Sequence, residues 1–126
     1  MKTILAAAFC FSLSAFANDF KLAKAIHKVE TSGRLGRIVG DHGKAIGPLQ
    51  IHYSNWKDAV EFDKSIGGKY VDCFKLDYSY RIFYAYMNKY ALNKTTQEKA
   101  RIWNGGPKGD SKFATLVYWN KVKKFI

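Results

Sequence analysis

The fold is decided by two neighbouring stretches, Val29-Glu30-Thr31-Ser32-Gly33 and Gly40-Asp41-His42-Gly43-Lys44-Ala45-Ile46-Gly47-Pro48-Leu49-Gln50-Ile51. The first stretch ends a predicted amphipathic helix, because Ser32-Gly33 interrupts the helical pattern. Glu30 follows Ile26 by four positions and therefore lies on the apolar side of that helix. A carboxyl group placed there is poorly solvated and holds its proton more tightly than it would in water.

The second stretch predicts a small hairpin. Short apolar pieces, Ile38-Val39 and Ala45-Ile46, flank the turn signal Asp41-His42-Gly43, which places Asp41 at or near the tip. One carboxyl group in an apolar setting and another in a polar turn is the arrangement that hydrolyses glycosidic bonds. Each group also has a simpler interpretation. Glu30 could pair with one of the many basic residues, and Asp41 could be a turn residue whose side chain satisfies its own backbone.

Helical patterns account for most of the remaining chain. The predicted helices begin at Asn18 or Asp19, Ser54, Asp77, Thr95, and Asp110 or Ser111. Thr95-Thr96-Gln97-Glu98 is a capping box for the fourth helix, which we expect to run through Ile102. The residues assigned to the core include an aromatic row on the third helix and two tryptophans: Ile82, Phe83, Tyr86, Met87, Tyr90, Trp56 and Trp119. The sequence therefore predicts an α+β fold, mainly α, with four to five helices and one small β-hairpin.

The N-terminal segment 1–17 is typical of a signal peptide. It has a positive start at Met1-Lys2, an apolar run from Thr3 to Phe16, and a small-x-small cleavage site at Ala15-Phe16-Ala17. The alternative is a retained N-terminal anchor. Cleavage would leave residues 18–126 as one domain, secreted or periplasmic and without stable membrane insertion. Because Lys2 would be lost, the 21 basic and 10 acidic residues would become 20 and 10, a formal charge of +10.

This positive charge favours polyanionic partners. The basic residues are spread along the chain, and no zinc-finger spacing, phosphate loop or nucleic-acid motif accompanies them. We therefore expect anionic cell-envelope polymers as partners and no nucleic acid. Cys73 would be the one remaining cysteine, which excludes an intrachain disulfide and favours a buried, inert thiol. His27 and His52 lack metal-ligand partners at suitable spacing, so we predict neither a metal nor a cofactor.

Two ordered blocks of residues carry a family resemblance. The first contains Val29-Glu30, Gly40-Asp41, Gly43, Gly47, Gln50-Ile51 and Trp56-Lys57-Asp58. The second contains Ala100-Arg101-Ile102-Trp103-Asn104-Gly105-Gly106-Pro107 and Tyr118-Trp119-Asn120-Lys121-Val122. Together they resemble the lysozyme superfamily, most closely the invertebrate-type (destabilase-like) lysozymes, with elements that recur in lytic transglycosylases. The chain departs from that family in lacking its disulfides and in carrying Trp103 where the family has histidine.

The resemblance implies a lysozyme-like domain that cleaves the β-1,4 bond of peptidoglycan, with Glu30 as general acid and Asp41 as second carboxylate. By analogy with the family, the residues that line the substrate cleft are Gln50, Tyr53, Trp103, Asn104 and Gly105. Trp103 either stacks on a sugar or serves packing, and His42 either orients Asp41 or is a solvated turn residue. We expect a monomer. The alternatives are a lytic transglycosylase that uses Glu30 alone and a non-catalytic, basic wall-binding protein that retains the fold.

Overall fold

The computed structural model describes the backbone from Lys2 to Ile126 and the side chains from Ser14 onward. Within these residues it contains five α-helices and a three-stranded antiparallel sheet. In chain order the elements are α1 (Lys2–Thr31), β1 (Val39–Gly40), β2 (Ala45–Ile46), β3 (Ile51–His52), α2 (Tyr53–Phe62), α3 (Leu76–Tyr90), α4 (Thr96–Gly105) and α5 (Ala114–Val122). The α+β, mainly α class that the sequence predicts is confirmed.

The hydrophobic core is built around α3, which packs against α1, α2 and α4. Ile82, Phe83, Tyr86 and Met87 of its predicted aromatic row are almost completely buried. Facing them from α1 are Leu22 and Ile26, both with no exposed surface. Trp56 and Trp119, which the sequence assigns to the core, are partly buried and pack against it.

Three predicted helix boundaries are wrong: the starts of the first and last helices and the end of the fourth. The start of α1 at Asn18 or Asp19 is wrong because the helix is continuous from Lys2. No glycine or proline precedes Gly33, and the residues before Asn18 are mostly good helix formers, so nothing interrupts the helix there. The fourth helix, α4, continues three residues past the predicted end at Ile102, to Gly105. It ends where Gly106, with φ of 90°, adopts a conformation that favours glycine.

The predicted starts of the second, third and fourth helices are close to those observed. The capping box of α4 is confirmed: the backbone N–H of Glu98 donates to Thr95 Oγ1 over 3.2 Å, and the Thr95 N–H donates to Glu98 Oε1 over 3.0 Å. The third helix begins one residue earlier than predicted, at Leu76. The second begins at Tyr53, so His52 rather than the predicted Ser54 occupies its N-cap. The predicted start of the last helix at Asp110 or Ser111 is wrong, because those residues form a separate 3-10 turn and α5 begins at Ala114.

The predicted hairpin is confirmed, and a third strand extends it. β1 pairs with β2 through Val39–Ile46 and Gly40–Ala45, and the intervening turn begins at Asp41. β3, which the sequence analysis missed, pairs with β2 through Ala45–His52. Two-residue strands give too short an alternation to detect in a sequence. Gly47 is required beside this sheet, because a Cβ there would overlap the backbone carbonyl of Cys73.

The structure adds little about the predicted signal peptide. Most of segment 1–17 lies outside the residues whose side chains are described, so its cleavage stays a prediction. Within the described part of the chain, none of the helices combines the length and the apolar character needed to cross a bilayer.

Candidate active site

A cavity of about 500 Å³ lies where the end of α1 meets the small sheet. The residues that line it come from α1, the sheet, the start of α2 and the end of α4: Glu30, Asp41, Ala45, Gln50, His52, Ser54, Asn55, Trp103, Asn104 and Gly106. Its volume falls in the range of ligand-binding pockets. The structure thus brings the two carboxyl groups singled out in the sequence, Glu30 and Asp41, to one concave surface.

Glu30 belongs to the last turn of α1 and is half-buried at the cavity wall. Ala23 and Ile26, seven and four residues earlier, are fully buried, so the same helix face carries the Glu30 side chain inward. Burial raises the pKa of the Glu30 carboxyl above its ordinary value, because the charged form loses solvation. The Tyr118 hydroxyl and the Lys121 ammonium partly oppose this rise. Glu30 therefore keeps its proton to a higher pH than an exposed glutamate does.

Tyr118 approaches Glu30 from α5. Its ring is 8% exposed, and its hydroxyl is buried without a hydrogen bond of standard geometry to any described residue. The O–H dipole nevertheless lies close enough to the Glu30 carboxyl to favour the charged form. Burial raises the pKa of Tyr118 well above its ordinary value, so the phenol stays protonated.

Asp41 lies in the turn between β1 and β2 with its side chain 54% exposed. Asp41 and His42 both have left-handed backbone angles, with φ of 50° and 56°. Such angles are uncommon outside glycine and cluster at functional sites. The turn-residue interpretation would have the Asp41 carboxylate bonded to its own backbone, but among the described residues its one side-chain partner is His52. His52 Nε2 lies 3.3 Å from Asp41 Oδ2.

Gln50 also lines the cavity, and its side chain ties the sheet together. Its φ is 52°, and its Nε2 donates to the carbonyl of Gly47 over 2.9 Å. The amide end of this side chain lies close to Gly40, so a Cβ at that position would displace Gln50 Oε1. Gln50 therefore shapes the hairpin that carries Asp41 as well as facing the cavity.

Of the two aromatic residues predicted to line the cleft, Trp103 reaches the cavity and Tyr53 does not. Trp103 reaches the cavity but is only 6% exposed, because it packs on Phe83 and Tyr86 with ring centroids 5.1 and 5.4 Å away. Tyr53 lies outside the cavity lining; it is 54% exposed and packs on Trp56 and Tyr70. Trp103 therefore leaves little ring surface for a ligand.

The loop after Trp103 contributes Asn104, which is exposed at the cavity. Gly105 is not in the lining, whereas the next residue, Gly106, is. Gly105 instead allows a close approach of α5, because a Cβ there would lie 2.5 Å from the Thr115 methyl group.

Several lining residues were missed in the sequence: Ala45, His52, Ser54, Asn55 and Gly106. No clear local signal marked His52, because β3 is only two residues long and the preceding Gln50 has a left-handed φ of 52°. Ser54 and Asn55 then follow in the first turn of α2.

The described residues give little support to a metal site or to a reactive cysteine. No three of their His, Cys, Asp or Glu side chains come together as a metal site. Cys73 is fully buried, and burial raises the pKa of its thiol to about 12, which leaves almost no reactive thiolate at neutral pH. A half-buried acid and an exposed carboxylate at one cavity are, by contrast, typical of glycosidases.

The comparisons with known proteins agree with this class. The chain is 35% identical over 106 residues to a lysozyme of Ostrea edulis, spanning 78% of this chain and 74% of the relative. Its fold is similar to that of the lysozyme of Tapes japonica, with a TM-score of 0.69 and 26% identity. An inhibitor-bound lysozyme from Meretrix lusoria gives a TM-score of 0.68 and 27% identity. Both structural matches cover 82% of this chain and 87% of the other. No protein-family model matches the sequence.

These relatives assign the chain to a family. The chain belongs to the lysozyme superfamily, among the invertebrate-type lysozymes, and is a glycosidase.

Proposed function

We propose that the protein hydrolyses the β-1,4 bond between N-acetylmuramic acid and N-acetylglucosamine in peptidoglycan. The observation that carries the proposal is the cavity shared by Glu30, whose pKa is raised by burial, and the exposed carboxylate of Asp41. The relationship to lysozymes supplies the substrate class.

Glu30 acts in this proposal as the general acid. Its retained proton passes to the glycosidic oxygen as the bond to the anomeric carbon breaks, so that the departing sugar leaves as an alcohol. A group with a raised pKa suits this step, because an ionised carboxylate has no proton to give. Lys121, on the exposed surface of α5, opposes the rise in pKa and limits how far the active pH range extends.

Asp41 acts as the second carboxylate. It either attacks the anomeric carbon or stabilises the positive charge that develops there, and water completes the hydrolysis. Its side chain is free of its own backbone and exposed at the cavity, which favours this role over a plain turn residue.

Substrate binding is assigned to polar groups of the cavity wall. The exposed amide of Asn104 and the backbone at Gly106 are placed to bind an N-acetyl group. Trp103 contributes mainly by packing behind this loop, since its ring is occupied by Phe83 and Tyr86. Tyr53 and Gly105 lie outside the lining, so we assign them no direct contact with the sugar.

The positive charge suits an enzyme that acts on a bacterial wall. The full chain has a formal charge of +11, and the chain without segment 1–17 would have +10. Such a charge attracts the protein to anionic envelope polymers and raises its concentration near the substrate. This role requires export, so we propose that segment 1–17 directs secretion or transfer to the periplasm. We propose that the exported protein acts as a monomer.

Two alternative functions can be distinguished from hydrolysis by experiment. A lytic transglycosylase would use Glu30 alone, and the sugar's own hydroxyl would close on the anomeric carbon. A wall-binding protein that retains the fold would depend on its charge and release nothing. The exposed Asp41 carboxylate in the cavity favours the hydrolase over both.

The test compares Glu30→Gln with wild type in clearing suspensions of purified cell wall. We expect the rate to fall by about 100-fold or more, the usual contribution of a positioned acid, while wall binding is retained. Glu61→Gln is the control, because Glu61 is an exposed carboxylate on α2 that lies outside the cavity. Equal clearing by Glu30→Gln and wild type would exclude the acid role.

Mass spectrometry of the released fragments then separates the alternatives. Reducing ends identify a hydrolase, anhydro ends identify a transglycosylase, and binding without release identifies a wall-binding protein.

A further inference from the structure

The Asp41 carboxylate lies on an exposed turn, yet a second carboxylate must point at the substrate to be useful. A side chain free to rotate in water would spend little time in that position. Among the described residues, the one side chain that contacts the carboxylate is His52, at 3.3 Å from Nε2 to Oδ2. Both side chains are about half exposed, at 46% and 54%, and both line the cavity with Glu30.

The register of the sheet explains why His52 is the partner. Gly40 pairs with Ala45, and Ala45 pairs with His52, so these residues form one row across the three strands. Asp41 directly follows Gly40 at the end of this row. Ala45, the middle residue of this row, is buried and carries only a methyl group, so the row contains no long side chain between the two outer strands.

The histidine next to Asp41 in sequence is placed differently. His42 is exposed, lies outside the cavity lining, and makes no side-chain hydrogen bond or ion pair with any described residue. Its φ of 56° belongs to the tight turn. Proximity in sequence would therefore suggest His42 as the partner of Asp41, whereas the pairing of the strands identifies His52 as its partner.

We propose that His52 is a positioning residue that holds the Asp41 carboxylate toward the cavity opposite Glu30. The proposal rests on the function proposed above for Asp41. The imidazole contacts Oδ2, which leaves Oδ1 free to face the anomeric carbon of a bound sugar.

The experiment measures kcat and KM on a soluble peptidoglycan fragment for four full-length proteins: wild type, His52→Asn, His52→Gln and His42→Asn. The amide of asparagine is too short to replace Nε2, so we expect kcat of His52→Asn to fall by about 10- to 100-fold, the cost of misplacing a catalytic group by about 1 Å. KM should change little, because His52 acts through Asp41 rather than by binding the sugar. The longer amide of glutamine reaches the Nε2 position and should recover most of the loss.

His42→Asn is the matched control. Asparagine tolerates a left-handed backbone, so this variant should keep the kcat and KM of wild type. Thermal unfolding of each variant shows whether a change in kcat accompanies a loss of fold. His52 is exposed and on an edge strand, so we expect all four proteins to unfold at similar temperatures.

The outcomes separate this inference from the proposed function. Glu30→Gln, measured in parallel, must be inactive, and if it retains wild-type activity the proposed function fails. With Glu30→Gln inactive, a His52→Asn protein with wild-type kcat overturns the inference alone. The inference is also overturned if His52→Gln is as impaired as His52→Asn, or if KM rises while kcat is unchanged.

Discussion

Replacing Tyr118 by phenylalanine should make the protein slightly more stable and move its pH–activity profile. The Tyr118 hydroxyl is buried, and its approach to the Glu30 carboxyl falls short of standard hydrogen-bond geometry, so the substitution removes a polar group whose hydrogen bonding is incomplete. Leaving such a group in a protein interior costs about 1 to 3 kcal/mol. Part of this gain is offset, because the hydroxyl also interacts with the Glu30 carboxyl. We expect a net change in unfolding free energy between zero and about 2 kcal/mol in favour of the variant.

The direction in which Tyr118→Phe should move the pH–activity profile follows from the pKa of Glu30. The hydroxyl favours the charged form of Glu30 and lowers its pKa, so removing it raises that pKa further. A general acid is active while it is protonated, and the alkaline limb of the profile should therefore move to higher pH. The assays are urea unfolding and the pH dependence of kcat/KM.

Tyr78→Phe provides the matched control. Tyr78 is as buried as Tyr118, at 7% against 8%, but its hydroxyl accepts from Trp56 Nε1 over 2.9 Å and donates to the Gly67 carbonyl over 2.7 Å. Losing both bonds should destabilise the protein by about 1 to 3 kcal/mol, without moving the pH profile. The reasoning is refuted if Tyr118→Phe destabilises the protein as much as Tyr78→Phe does, or if its alkaline limb moves to lower pH.

Three further predictions follow from packing and charge. Gly47→Ala should destabilise the protein by about 3 kcal/mol or more in urea unfolding, because the added Cβ would overlap the Cys73 carbonyl and because Gly47 has a left-handed φ of 80°. An unchanged unfolding midpoint would contradict the close packing. Lys99→Met should lower the unfolding free energy by about 3 kcal/mol in the same assay, because Asp19, which is 13% exposed, loses the ammonium group 2.8 Å away. An equally stable variant would show that the pair is not desolvated. Wall clearing by wild type should slow as NaCl rises past about 0.15 M, because charges more than roughly 8 Å apart are then screened from each other. Cleavage of a small neutral substrate should not slow. Equal salt effects on the two reactions would rule out charge-driven wall binding.

The sequence was sufficient to predict the class of fold and the helices with strong local signals. The capping box at Thr95–Glu98 and the apolar row of α3 are short-range patterns, and both are observed. The start of α1 was wrong because a capping residue such as Asp19 has no effect where the preceding residues can continue the helix. In the folded protein Asp19 instead pairs with Lys99 of α4, a contact 80 residues away in sequence.

The candidate site was only partly predictable for a similar reason. Glu30 could be placed by helical spacing, and its raised pKa follows from the same burial. The partner of Asp41 depends on the register of three strands, each two residues long, and no local pattern encodes that register. For Trp103 the sequence left stacking and packing open, and the structure shows packing because Phe83 and Tyr86 occupy its ring.

The central claim is that Glu30 is a protonated acid at the pH where the enzyme works. Its most direct test is a carbon-13 NMR titration of the Glu30 side-chain carboxyl, compared with the alkaline limb of kcat/KM in the same buffer. We predict a pKa above the ordinary 4.5 that coincides with the midpoint of that limb. A pKa at or below 4.5, or a limb that does not follow the titration of Glu30, would contradict the account.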